Sequence, residues 1–135
     1  MLQIDKQSRI PVYEQVVEKL EKLVLTNILQ ANEQLPSVRT WSAELGINPN
    51  TLQKAYLYLD TKGITYSVPG VGRFISETAK SVIESNKGKQ LGELYEITAN
   101  LALAGILKEK VYETIDDAYA HVEQNKLNIK KGNKI

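Results

Sequence analysis

The chain has 135 residues, 42% of them hydrophobic and 24% charged, which is a composition for one globular domain, or one small domain with an appendage. It has no Cys and a single His, His121, which excludes disulfide scaffolds, thiolate chemistry and multi-histidine zinc sites. Its 17 basic and 16 acidic residues leave a net charge of +1, so bulk charge does not point to nucleic acid.

The apolar runs are short of a membrane span and the first residues show no signal-peptide pattern, so a soluble, cytoplasmic protein is expected. Over residues 1–76 there are 8 Lys or Arg against 7 Asp or Glu, over 77–125 there are 5 against 9, and 126–135 holds 4 Lys and no acid. Any DNA binding must therefore rest on where a few charges sit, and on dimerisation.

Val12, Tyr13, Val16, Val17, Leu20, Leu23, Val24 and Ile28 recur at helical spacing, which predicts an amphipathic helix over 12–29 with Pro11 in its first turn. A break follows over 30–34, where Asn32 suits the left-handed conformation that closes a helix. Ser37 is a good N-cap for a second helix, with Val38, Trp41 and Leu45 on one face and Gly46 as its stop. Asn48 then caps a third helix, Pro49 takes its first position, and Leu52, Ala55, Tyr56 and Leu59 line its inner side up to Gly63. Two short helices joined by a tight Gly-containing turn make a helix-turn-helix.

The period then changes. Ile64–Val68 and Arg73–Ile75 are β-prone stretches around Pro69-Gly70-Val71-Gly72, a hairpin that acts as a wing. Beyond residue 76 there are helical segments with breaks at Asn86-Lys87-Gly88 and Gly105. One apolar stripe is Leu91, Leu94, Tyr95, Thr98, Leu101 and Ala102; another is Val111, Ile115, Ala118, Tyr119 and Val122. Too little protein remains to cover both, which predicts a helical hairpin that completes its core against a second subunit. The Lys-rich stretch 126–135 is expected to fray.

The predicted exposed face of the third helix carries Asn48, Asn50, Thr51, Gln53 and Lys54. Asn and Gln pair bidentately with adenine, Thr meets a thymine methyl, and Lys reaches guanine or phosphate. Taken alone this is what any solvated helix face offers; after a helix-turn-helix and before a wing it reads as a recognition helix, about residues 48–62. Arg39, just inside the preceding helix, suits a bidentate contact with guanine or phosphate, and Ser37 sits where a helix N-terminus meets a phosphate. Gly70 and Gly72 permit close backbone approach, and Arg73 suits a minor groove or a phosphate, the plainer reading being a simple turn. No P-loop, His-Glu-x-x-His or nucleophile–base pair occurs, so no enzyme activity, cofactor or metal is expected.

The run Leu35-Pro36-Ser37-Val38-Arg39, with Leu45-Gly46-Ile47-Asn48-Pro49-Asn50-Thr51-Leu52, Lys54-Ala55-Tyr56, Gly63-Ile64 and Gly70-Val71-Gly72-Arg73-Phe74-Ile75, resembles the DNA-binding domain of GntR-family bacterial transcription regulators. Pro11-Val12-Tyr13-Glu14-Gln15 is similar to the YtrA-type and MocR-type subset. Asn32 stands where the family usually has Gly before Leu-Pro-Ser, and Trp41-Ser42 where it usually has Leu-Ala. The resemblance implies a dimeric regulator, usually a repressor, with Arg39 reading guanine, Asn48, Asn50, Thr51, Gln53 and Lys54 meeting the major groove, and Gly70 and Gly72 bringing the wing, 69–73, to the minor groove.

The 59 residues after Ser76 are too few for an aminotransferase-like or large effector domain, which leaves the YtrA type, often associated with transporter operons. The expected fold is mainly α with a small β-hairpin: a winged helix-turn-helix over 1–76 followed by a short helical dimerisation region over 77–125. The dimer contacts are assigned to Leu91, Leu94, Tyr95, Leu101, Val111, Ile115, Tyr119 and Val122. The expected partners are double-stranded operator DNA, palindromic to match the homodimer, and an effector of unknown identity between the C-terminal helices or at the dimer interface; no membrane is expected. The rival expectation is a winged helix that binds DNA without reading bases, or binds protein.

Overall fold

The structure is a computed structural model that describes residues 3–131. Among these residues the elements run α1 (Val12–Leu25), α2 (Val38–Leu45), α3 (Pro49–Thr61), β1 (Thr65–Val68), β2 (Gly72–Ile75), α4 (Ala79–Gly88), α5 (Leu91–Leu103) and α6 (Lys108–Lys131). The chain divides into two units, the first closing at Ile83 and the second opening at Glu84. No helix of the described residues is long and apolar enough to cross a membrane.

The first unit is a winged helix. Val16, Val17, Leu20 and Val24 from α1 pack with Leu52, Ala55, Tyr56 and Leu59 from α3, and Trp41 of α2 joins them with its ring centre 6.0 Å from that of Tyr56. Leu45 is only half-buried and packs at the margin of this core. The hairpin pairs Thr65 with Ile75 and Val68 with Gly72 in antiparallel register. A two-stranded hairpin is marginal by itself, and here the segment before α2 supports it. Leu35 N–H donates to Arg73 O (2.8 Å), Ile75 N–H to Glu33 O (2.9 Å) and Asn32 N–H to Ile75 O (2.7 Å), so residues 32–35 lie along β2 as a third edge.

Several boundaries differ from those the sequence predicts. The first helix stops at Leu25, not 29, because Thr26 turns its hydroxyl back to Lys22 O (2.8 Å), Asn27 enters the left-handed region (φ 62°), and the Ile28 and Leu29 N–H groups both return to Leu23 O. Leu29 still reaches the core, from the turn. Asn32 is left-handed as expected (φ 65°), but it sets up the pairing with β2 and does not close a helix. The first unit does not end at residue 76: Ala79 and Ile83 are buried with the other core side chains, so the start of α4 belongs to it.

In the second unit, Asn86-Lys87-Gly88 ends α4 as helix, while Gly105 makes the expected break between α5 and α6 with φ 85°. The stretch 126–131, expected to fray, continues α6; residues 132–135 lie outside the described residues. No side chain of α5 is buried. Of the dimer residues that the sequence names, Leu91, Leu94, Tyr95, Leu101, Tyr119 and Val122 are exposed, and Val111 and Ile115 are half-buried. Ile97, Leu103, Ile106, Leu107 and Tyr112 extend this uncovered apolar surface beyond the two expected stripes.

Candidate nucleic-acid interface

The helix-turn-helix is built by local capping. Ser37 is extended (φ −63°, ψ 154°), and its Oγ accepts from Thr40 N–H at 3.1 Å, which satisfies one orphan donor of α2. Arg39 follows in the first turn of α2 and is exposed. Gly46 closes α2 in the left-handed conformation (φ 68°), a geometry that a side chain resists, and lets Ile47 N–H return to Ser42 O at 3.0 Å. Asn48 then caps α3, its side-chain oxygen accepting from Asn50 N–H at 2.8 Å, with Pro49 opening the helix. The cap uses one of that oxygen's two lone pairs, which leaves Asn48 its amide nitrogen with two donors and one further acceptor site.

Burial of Leu52, Ala55, Tyr56 and Leu59 turns the opposite side of α3 outward. Asn50, Gln53, Lys54 and Leu57 are all exposed there, at the i, i+3, i+4, i+7 spacing of one stripe, while Thr51 is half-buried at its edge. Leu57 is 51% exposed and belongs to this stripe; the sequence signal for it is its i+4 spacing from Gln53. Lys54 holds its ammonium 4.0 Å from the Tyr13 ring centre, so α1 contributes to this face as well.

Gly70 and Gly72 shape the wing tip, with φ of 76° and 149°. At Gly72 a Cβ would lie 2.3 Å from the Gln34 amide nitrogen, so a side chain there would displace the end of Gln34 from its bond to Val71 O (3.1 Å). Val71 at the tip is 61% exposed.

Arg73, expected to reach a groove or a phosphate, has intramolecular partners in this structure. Its Nε donates to both carboxylate oxygens of Asp60 (3.1 and 3.2 Å), its Nη2 donates to Oδ2 (2.9 Å), and its guanidinium carbon sits 4.8 Å from the Tyr56 ring centre. The side chain is 15% exposed. Asp60 also accepts from the Thr65 and Ser67 hydroxyls. Burial pushes its carboxyl up, but the hydrogen bonds from Arg73 and Thr65, the Arg73 charge and the Ser67 hydrogen bond outweigh it and hold Asp60 below the usual carboxylate value. Burial raises the Tyr56 hydroxyl well above its ordinary value against the opposing Arg73 charge, keeping it a neutral donor, and it donates to Pro36 O at 2.8 Å. No local pattern in the sequence marks the Asp60–Arg73 pair or the Gln34–Val71 contact, because the partners lie 13 and 37 residues apart.

Among the described residues no buried side-chain N or O lacks a hydrogen-bond partner, and no three His, Asp or Glu side chains gather as a metal site. The chemistry on offer is an amide- and cation-bearing helix face flanked by a helix N-terminus and a wing, which suits the edge of a duplex.

Comparison with known proteins agrees with this geometry. The family described as bacterial regulatory proteins, gntR family, matches residues 12–75. The chain is similar to the HTH-type transcriptional repressor YtrA of Bacillus subtilis (strain 168), at 36% identity over 95% of this chain and 99% of that protein. It is similar in structure to a transcriptional regulator from Oenococcus oeni, with TM-score 0.68, 35% identity, and coverage of 86% of this chain and 97% of the other. AraR(DBD), solved in complex with operator ORX1, is similar over 56% of this chain and 96% of its own, with TM-score 0.51 and 25% identity.

Proposed function

The chain belongs to the gntR family of bacterial regulatory proteins, and on that premise we propose that it is a sequence-specific, dimeric repressor of a bacterial operon, acting on operator DNA in the cytoplasm. The observation that carries this reading is the outward stripe Asn50, Gln53, Lys54 and Leu57 on α3, set directly after the Gly46 turn. α3 enters the major groove by its N-terminal half, where Asn50 and Gln53 meet base edges and Thr51 meets a thymine methyl. Ser37 and Arg39 approach from the N-terminus of α2, the hydroxyl and helix N–H groups toward a phosphate and the guanidinium toward a guanine. The wing, with Gly70 and Gly72, meets the adjacent minor groove.

The uncovered apolar side chains of α5 and α6 support dimerisation, because an isolated chain would leave Leu91, Leu94, Tyr95, Leu101, Tyr119 and Val122 in water. A two-fold dimer places two recognition helices about 34 Å apart, one DNA turn, and a palindromic operator mirrors that symmetry. Two half-sites also add their binding energies, which offsets the weak net charge.

The test is selection of bound sequences from random DNA, followed by titration of the enriched duplex. Arg39→Ala is expected to weaken binding by about 1–3 kcal/mol, the worth of one bidentate base contact. Sedimentation of the full chain should show a dimer, and Leu101→Glu should shift it toward monomer with loss of full-operator binding. Enrichment of no sequence, with a steep salt dependence, would identify a nonspecific DNA binder instead.

A further inference from the structure

We propose that Asp60, Arg73 and Tyr56 form a positioning device that presets the wing against the recognition helix, so that the wing serves recognition through its placement and not through a cation of its own. The inference rests on the DNA-reading function proposed above. Arg73 is the single basic residue of the hairpin 65–75, and its fork is committed to Asp60, on the last turn of α3. The same carboxylate accepts from Thr65 and Ser67, so one side chain of α3 holds β1 through two hydroxyls and β2 through a guanidinium.

The contacts continue toward α2. The Arg73 guanidinium lies over the Tyr56 ring, and the Tyr56 hydroxyl donates to Pro36 O, the residue before the Ser37 cap. Gln34 adds a separate tether by donating to Val71 O at the wing tip. One connected set of contacts therefore spans the three segments that carry Ser37 and Arg39, Asn50 and Gln53, and Gly70 and Val71. A hairpin of two four-residue strands is marginal alone. Fixing it before binding removes the ordering cost that a loose wing would incur at the DNA.

This arrangement and a direct phosphate contact by Arg73 predict opposite signs for one substitution. Asp60→Asn removes an acid from the neighbourhood of a polyanion and releases Arg73. If Arg73 acts on DNA, binding tightens and its salt dependence steepens. If the cluster positions the wing, binding weakens and the salt dependence stays as it was.

The experiment titrates the full chain against its own enriched duplex over a range of salt. Asp60→Asn is expected to weaken specific binding about tenfold, the worth of a charge-assisted hydrogen bond, with the slope of log K against log salt unchanged. Base preference should fall at the flanking positions, next to the wing, and persist at those under α3. The double variant Asp60→Asn with Arg73→Gln restores a neutral amide pair and should recover affinity without any cation in the hairpin. A phosphate-binding Arg73 would instead make the double variant bind more weakly than Asp60→Asn and lower the slope by about 0.9.

Thermal unfolding checks that each variant is folded. Should Asp60→Asn not fold, Arg73→Lys takes its place: it keeps the charge but loses the fork, and must weaken binding at unchanged slope. Asp60→Asn binding as tightly as the parent, or tighter, overturns this inference alone. A parent chain that enriches no sequence overturns the proposed function, and this inference with it.

Discussion

The ammonium of Lys54 on α3 sits 4.0 Å from the centre of the Tyr13 ring in the first turn of α1. The contact gives a long, flexible cation on the outward face of α3 a preferred position. An exposed cation–π pair is worth about 0.5–1 kcal/mol. Tyr13→Ala should therefore weaken binding to every duplex by roughly two- to fivefold, whereas Tyr13→Phe keeps the ring and should bind nearly as the parent does. Titration of both variants on enriched and scrambled duplexes checks this.

Gln53 and Lys54 are neighbours on that face with different chemistry. An amide carries both donor and acceptor and can distinguish adenine, while an ammonium near phosphate senses charge. Gln53→Ala should change the preferred base at one position of each half-site. Lys54→Ala should lower affinity for all sequences and reduce the salt slope by about 0.9. Repeating the selection with each variant separates the two outcomes, and a shifted preference in Lys54→Ala with Gln53→Ala silent would reverse the roles.

Asp60 makes stability depend on acid. Its carboxyl is held below the ordinary value in the folded chain, so the unfolded chain takes up this proton first, near pH 4. The resulting stabilisation is fully present above that pH and is lost as pH falls through the lower, folded value. Asp60→Asn lacks this ionisation, so the stability difference between parent and variant should shrink on acidification below about pH 4. Urea unfolding of both proteins at a series of pH values gives the comparison.

Ile83 is fully buried midway along α4. Replacing a buried Ile by Ala costs about 2–5 kcal/mol, so Ile83→Ala should destabilise the winged helix by that order in urea unfolding. A DNA-binding fragment ending at Ser76 should be unstable for the same reason, while one ending after Gly88 retains both Ala79 and Ile83.

The helices, their caps and the hairpin were legible because each has a local cause. Ser37, Gly46, Asn48 and Pro49 do in the structure what their side chains and backbone preferences dictate over three or four residues. The end of α1 was misplaced because Ile28 and Leu29 keep the apolar spacing of a helix while reaching the core from a turn. The Arg73–Asp60 pair was not legible because the two residues lie on different elements; an arginine beside a glycine tip has the same sequence whether it faces a phosphate or a carboxylate. The end of the first unit was missed because Ala79 and Ile83 look like any other helical residues until the core that they complete is seen.

The edge made by residues 32–35 has a consequence for the order of synthesis. Its partner β2 is translated about forty residues later, since Leu35 pairs with Arg73 and Glu33 with Ile75. Contacts between segments so far apart along the chain form late, after the helices that local sequence can nucleate. On the ribosome, α1, α2 and α3 can all leave the exit tunnel while the segment ahead of Ser37 is still without its strand. The segment ahead of Ser37 is thus paired only when β2 emerges, so a nascent chain exposed no further than α3 would hold the capped helices without the edge that ties them to the wing.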